Sequence, residues 1–153
     1  MAERMAQDCF PLDYYPVFGV IQPLIPSDAL LISEGANTMD IARSTAARYR
    51  LPLIVIVINN NGIYYGLDKD GYEQRMNESA SLPSFTLLPE ARYELMAEAF
   101  HGKGYLCRTK PDIEAAMTAA LQEKERISVI NILITNGDPT GKLAFAWQDQ
   151  PKV

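Results

Sequence analysis

Residues 53–66 read LIVIVINNNGIYYG, and the first six of them decide the fold. Leu53 through Ile58 is an unbroken run of β-branched residues led by a leucine, which predicts a strand buried on both faces, as in a parallel sheet. The run stops abruptly at Asn59-Asn60-Asn61-Gly62. Open α/β sheets bind ligands beyond the carboxyl ends of their strands, so this turn is also the first candidate site. Two local readings stand side by side. Asn-Gly at a strand end is a favoured turn, because both residues tolerate positive φ. Alternatively, a carboxamide oxygen and a neighbouring backbone carbonyl are hard ligands of the kind Mg²⁺ takes.

Working outward, Tyr14–Ile25 predicts a helix weakened by Gly19 and Pro23, and Pro26-Ser27-Asp28 turns the chain into a short strand, Ala29–Ser33. Thr38 caps a predicted helix that reaches about Tyr49. Its apolar stripe fails beyond Arg43, which marks a discontinuity at Ser44-Thr45. Downstream, Asp68–Ser84 reads as a long polar loop; Asp68, Asp70 and Glu73 lack the ligand spacing of a calcium loop. Pro89 opens a helix with Tyr93, Met96, Ala97 and Phe100 on one face, closed by Gly102 with His101 at its end. Thr109-Lys110-Pro111-Asp112 is a capping-box-like start for a helix with the stripe Ile113, Ala116, Met117, Ala120 and Leu121. Val129–Ile134 is a second buried strand. Strands with continuous apolar runs, separated by helices, mean α/β.

At 153 residues with 48% hydrophobic and 22% charged side chains, the chain suits one domain with a real core. A net charge of −5 without a Lys/Arg run argues against nucleic acid as a partner. No window reaches the ~18 apolar residues of a membrane span, and the first eight residues lack the apolar core of a signal peptide. Cys9 and Cys107 lie far apart, outside any CxxC spacing, and read as buried free thiols in a reducing, intracellular setting. Cytoplasm and peroxisome both stay open; the final Pro151-Lys152-Val153 does not resemble a peroxisomal tripeptide. With His101 as its sole histidine, the chain has no histidine metal cluster and no Ser/His triad.

Two segments together carry a family resemblance. Arg48-Tyr49-x-Leu51-Pro52, the apolar strand and NNNGIYYG resemble the second half of the metal motif of thiamine-diphosphate enzymes. Ser33-Glu34-Gly35-Ala36-Asn37-Thr38-Met39-Asp40-Ile41 is similar to the first strand-to-helix turn of the same domain in 2-hydroxyacyl-CoA lyases and oxalyl-CoA decarboxylases. The resemblance implies an open, mostly parallel sheet with helices on both faces, binding thiamine diphosphate and Mg²⁺. Asn60 would be the side-chain ligand of Mg²⁺ and Gly62 its carbonyl ligand, with Ile63 and Tyr64 along the cofactor. Glu34, Asn37 and Thr38 belong to the turn that holds the diphosphate through backbone N–H groups at a helix start; a plain helix cap by Asn37 or Thr38 is the alternative. Tyr64 and Tyr65 could face an acyl group or simply pack on the sheet. Leu12-Asp13-Tyr14-Tyr15 fits the lyase branch, and Leu143-Ala144-Phe145-Ala146-Trp147 resembles its aromatic tail, as a lid or as a docked end.

The match runs in two blocks, 12–44 and 45–147, with a C-terminal tail over 137–153. Between the blocks the family carries a further stretch that holds a glycine-rich turn and the aspartate ligand of Mg²⁺. Here Ser44 runs straight into Thr45. Glu34-Gly35 could stand in for that Asp-Gly but belongs to the other match. The family also places an activating glutamate against the cofactor from a separate domain, for which the residues before Leu12 leave no room. The implied reaction is cleavage of a 2-hydroxyacyl-CoA to formyl-CoA and an aldehyde. The expectation for the chain by itself is an incomplete cofactor-binding domain, 1–153, inactive unaided. Alternatives are a non-catalytic subunit docking on a full-length homologue, or an oxalyl-CoA decarboxylase fragment.

Overall fold

A computed structural model of the chain describes residues 10–26, 48–63 and 66–136. The expected strand Ala29–Ser33, the helix from Thr38, the Ser44-Thr45 junction, Cys9, Tyr64, Tyr65 and the tail 137–153 lie outside them. The elements are α1 (Tyr14–Ile21), running into a 3₁₀ turn (Gln22–Leu24), then β1 (Ile54–Asn59) and α2 (Lys69–Asn77). A 3₁₀ helix (Tyr93–Phe100), β2 (Lys103–Cys107), α3 (Lys110–Gln122) and β3 (Ser128–Leu133) follow. The sheet is parallel and ordered β1-β3-β2, with Ile54 opposite Ser128 and Lys103 also opposite Ser128. This is the expected α/β architecture with helical layers on both faces.

Alternation of side chains along the strands sorts the core into two layers. Ile130, Ile132 and Ile134, with half-buried Ile54, Ile56 and Ile58, pack against Val17 and Ile21 of α1 and Ile113, Ala116, Met117 and Ala120 of α3. Val55, Ile127 and Val129, with Val57, pack against Ala97 and Phe100 of the 3₁₀ helix. β3 is buried at every residue. β1 also packs on both layers, but only Val55 and Asn59 are buried and the rest are half-buried, which corrects the expectation of a fully buried strand. β3 is central and has a strand on each edge; β1 stands at the margin of the described sheet.

Three further expectations change. Lys69–Asn77, within the expected polar loop, is a helix although none of its residues is buried. Asp68 caps it by accepting from the Gly71 N–H at 2.7 Å, and so a local polar signal replaces an apolar stripe. Lys103–Cys107, which no local pattern marks as a strand, is an edge strand whose partner β3 begins at Ser128. The segment after Pro89 forms its helix only from Tyr93, and at three residues per turn Glu94, Ala97 and Phe100 share the inner face. Glu94 and Ala97 are buried while Met96 is exposed, so the expected stripe holds only at Ala97 and Phe100. His101, not Gly102, takes the left-handed closing conformation (φ 58°). Gly102 is needed for contact instead, since a Cβ there would meet Ile127 at 2.5 Å. The start of α3 is as expected: Thr109 and Asp112 form a reciprocal capping box. Among the described residues no helix is long and apolar enough to cross a membrane.

Candidate functional site

The turn Asn59–Gly62 leaves the carboxyl end of β1 beside Leu133–Asn136, which leaves the carboxyl end of β3. Asn59, Asn60 and Asn61 are all buried, an unusual concentration of carboxamides that must find partners. Asn59 Oδ1 accepts from the Asn61 N–H at 3.1 Å, and Asn60 Oδ1 accepts from the Gly62 N–H at 3.3 Å. These two successive Asx turns fold the chain back, and Asn61 takes φ 63°, a region that Asn tolerates. The local turn reading is therefore realised. It does not compete with a ligand role, because it is what places Asn60 and Gly62 next to each other.

Asn61 is the hub of the surrounding loops. Its Nδ2 donates to Asn136 Oδ1 at 2.8 Å, its Oδ1 accepts from the Glu90 N–H at 2.8 Å, and its carbonyl accepts from the Leu87 N–H at 2.9 Å. Gly62 forms a bridge with Thr86, and the Ile63 N–H donates to the Phe85 carbonyl at 2.8 Å. The Gly66 N–H returns to the Asn136 carbonyl at 2.9 Å. Segments 59–63, 85–91 and 133–136, with Gly66, are thus stitched into one rim. Ile63 stands out from that rim, 65% exposed.

Beside the rim lies a cleft of about 440 Å³ whose walls include Asn61, Asp68, Lys69, Glu90, Arg108 and Asn136. Arg108 grips Glu90 with both guanidinium arms, at 3.0 and 3.1 Å. That hydrogen bonding holds the Glu90 carboxyl below its ordinary value and raises Arg108. On the sheet side, Glu94 is buried; burial disfavours its charge, yet hydrogen bonds from Asn131 and Arg92 outweigh that and hold its carboxyl below the usual value. Asn131 Nδ2 donates to Glu94 Oε2 at 2.7 Å and to the Ala91 carbonyl at 2.9 Å. The same carbonyl accepts from Asn59 Nδ2 at 3.2 Å.

Of the expected site residues, Asn60, Gly62 and Ile63 are brought onto this one turn; Glu34, Asn37, Thr38 and Tyr64 lie outside the described residues. Sequence reasoning passed over Asn131, Glu94, Glu90 and Arg108. Asn131 carried a signal: a carboxamide inside the apolar run Val129–Ile134 must be satisfied by something packed on the sheet. Glu94 carried none, since its neighbours suggest an exposed helix face.

The donor set suits a magnesium-bound diphosphate in part. Asn60 Oδ1 and the Gly62 carbonyl are hard, neutral oxygens, and Mg²⁺ combines such ligands with carboxylate, water and phosphate oxygens. The Thr86 hydroxyl, at the Gly62 bridge, is buried with no hydrogen-bond partner among the described residues. No cluster of three His, Cys, Asp or Glu side chains that could hold a metal occurs among the described residues.

Residues 35–132 match the model of the family described as thiamine pyrophosphate enzyme, C-terminal TPP binding domain. The 2-hydroxyacyl-CoA lyase 1 proteins of Mus musculus and Homo sapiens are each 28% identical over 207 positions, covering 95% of this chain and 36% of the relative. Oxalyl-CoA decarboxylase of Escherichia coli K12 is 26% identical, covering 88% of this chain and 33% of that protein. The chain therefore spans about a third of the length of these curated relatives. The 207 aligned positions take up 95% of 153 residues, about 145, so about 60 positions of the lyases face no residue inside the matched span.

Proposed function

This chain belongs to the thiamine pyrophosphate enzyme family through its C-terminal, cofactor-binding domain, and from that premise we propose that it carries one half of a thiamine-diphosphate site of the 2-hydroxyacyl-CoA lyase type. The observation behind this reading is the double Asx turn, which sets Asn60 and Gly62 side by side at the carboxyl end of a parallel strand. Asn60 Oδ1 and the Gly62 carbonyl would hold Mg²⁺, and Ile63 and Tyr64 would flank the cofactor. Glu34, Asn37 and Thr38 would serve the diphosphate. When bound, the cofactor supplies the electron sink for carbon–carbon cleavage; the chain's own part is to bind and orient it. The substrate class would be a 2-hydroxyacyl-CoA, cleaved to formyl-CoA and an aldehyde.

We place the 60 positions without counterpart at Ser44-Thr45, where the family keeps its metal-binding aspartate, and expect no turnover from the chain unaided. An amide correlation spectrum of labelled chain tests this. The signals of Asn60 and Gly62 should move with thiamine diphosphate plus Mg²⁺ and return when the metal is chelated. An unresponsive pair would overturn the assignment of these ligands, and robust lyase turnover by the purified chain would overturn its incompleteness.

A second reading, a subunit that docks on a full-length homologue, is favoured by the apolar side chains of Ile63, Leu87 and Leu88 exposed along the same rim. Co-purification with a larger subunit at fixed ratio would support it, and a soluble monomer indifferent to that subunit would exclude it. If oxalyl-CoA rather than a 2-hydroxyacyl-CoA is turned over once the chain is completed with the missing segments, the decarboxylase branch is the right parent.

A further inference from the structure

A carboxylate and a carboxamide sit in the core where apolar side chains would be less costly. Glu94 is 2% exposed and Asn131 fully buried, and Asn131 Oδ1 has no partner among the described residues. Buried charges and half-satisfied amides cost stability relative to well-packed apolar residues of similar volume. The backbone is shaped to admit them. A Cβ on Gly104 of β2 would lie 2.3 Å from the Glu94 carbonyl oxygen, so the strand can carry no side chain at that position beneath Glu94.

The hydrogen bonds run from these two residues to the site. Arg92 and Asn131 hold the Glu94 carboxylate from two sides. Asn131 Nδ2 also fixes the Ala91 carbonyl, which in turn receives Asn59 Nδ2. Because its nitrogen is engaged there, the Asn59 oxygen is turned toward the Asn61 N–H. That bond closes the first Asx turn and precedes the one that joins Asn60 to Gly62.

We propose that Glu94 and Asn131 are positioning residues for the turn Asn59–Gly62, setting the amide of Asn59 and through it the presentation of Asn60 and Gly62. The functional consequence rests on reading Asn60 and Gly62 as cofactor-side groups; the conformational claim does not.

The test uses the full chain with Glu94 and Asn131 both replaced by leucine, which exchanges the polar pair for apolar volume and so need not destabilise the core. The N–H of Asn61 should then exchange with solvent about tenfold faster or more, while β3 amides stay protected. The scalar coupling that reports the positive φ of Asn61 should also change. Glu94→Gln, which keeps an acceptor for Asn131 Nδ2, should restore wild-type behaviour. A folded double variant with Asn61 unchanged in both readouts overturns the proposal. If that variant does not fold, the wild-type chain still decides: side-chain amide protons of Asn59 exchanging at solvent rates would refute the relay, and protected ones would support it. Thiamine diphosphate with Mg²⁺ separates the two levels. A loosened Asn61 with no cofactor-induced shifts even in wild type would uphold the positioning and reject the cofactor reading.

Discussion

Replacing Gly66 by alanine is the sharpest test of how the rim is built. A Cβ at Gly66 would fall 2.3 Å from the Asn61 carbonyl carbon and 2.4 Å from the oxygens of Asn60 and Asn61. Carbon atoms prefer about 3.5–4.0 Å, so one segment must retreat by about 1.2 Å or more. The three atoms nearest the new methyl are all backbone, which cannot swing aside as a side chain would. Nor can Gly66 back away freely, because its N–H is bonded to the Asn136 carbonyl at 2.9 Å. Overpacking of this kind costs about 1–3 kcal/mol, and the strained or lost backbone hydrogen bond adds about 0.5–1.5 kcal/mol. Together the loss is about 1.5–4.5 kcal/mol, or about 3–18 °C in Tm for a chain of this size. Gly71→Ala is the matched control. Its Cβ meets only the Asp68 side chain, at 2.8 Å, and a helical Gly→Ala change gains about 0.5–1 kcal/mol against any cap it weakens. Urea denaturation of both variants gives the free energies, and amide shifts of Asn61 and Asn136 locate the damage. Gly66→Ala within about 0.5 kcal/mol of wild type, the usual range for harmless surface changes, with both shifts unmoved, would refute the packing argument.

Two more outcomes are expected. The Glu94 carboxyl lies below its ordinary value of 4.5 in the folded chain, so its contribution to stability is fully present above that value. The contribution is lost as pH falls through the folded pKa, and urea-derived stability measured from neutral to acid pH should fall less steeply in Glu94→Gln; parallel curves would contradict the assignment. Burial, aided by Asp112 and Glu94, pushes the Cys107 thiol up to about 12, leaving almost no thiolate at neutral pH. In a Cys9→Ser background, a disulfide reagent should react only as fast as the chain unfolds; prompt stoichiometric labelling of native protein would show Cys107 to be accessible.

Much of the fold is legible in the residues themselves because its signals are local. The apolar run before Asn59 reads as a strand, and Thr109 with Asp112 announces the start of α3. Asn-Gly announces the turn. Even the two faces of the core follow from alternation once the strands are placed. The elements that escaped are those whose cause is elsewhere in the chain or runs against periodicity. Lys103–Cys107, with Lys103 and Gly104, becomes a strand because β3 offers it an open edge. Lys69–Asn77 has no buried face and owes its helix to one capping aspartate.

The amino-acid sequence by itself determined the α/β class, the parallel strand that ends at Asn59, the capped helix behind it and the family to which the turn belongs, because period, capping and turn chemistry act over a few residues. Tertiary structure alone decided which strand is central, why Gly66, Gly102 and Gly104 must be glycine, and that Glu94 and Asn131 reach Asn59 through the Ala91 carbonyl. Those are contacts between segments tens of residues apart. Their cost or benefit exists only once burial has removed water and left each polar atom to find its partner in the protein.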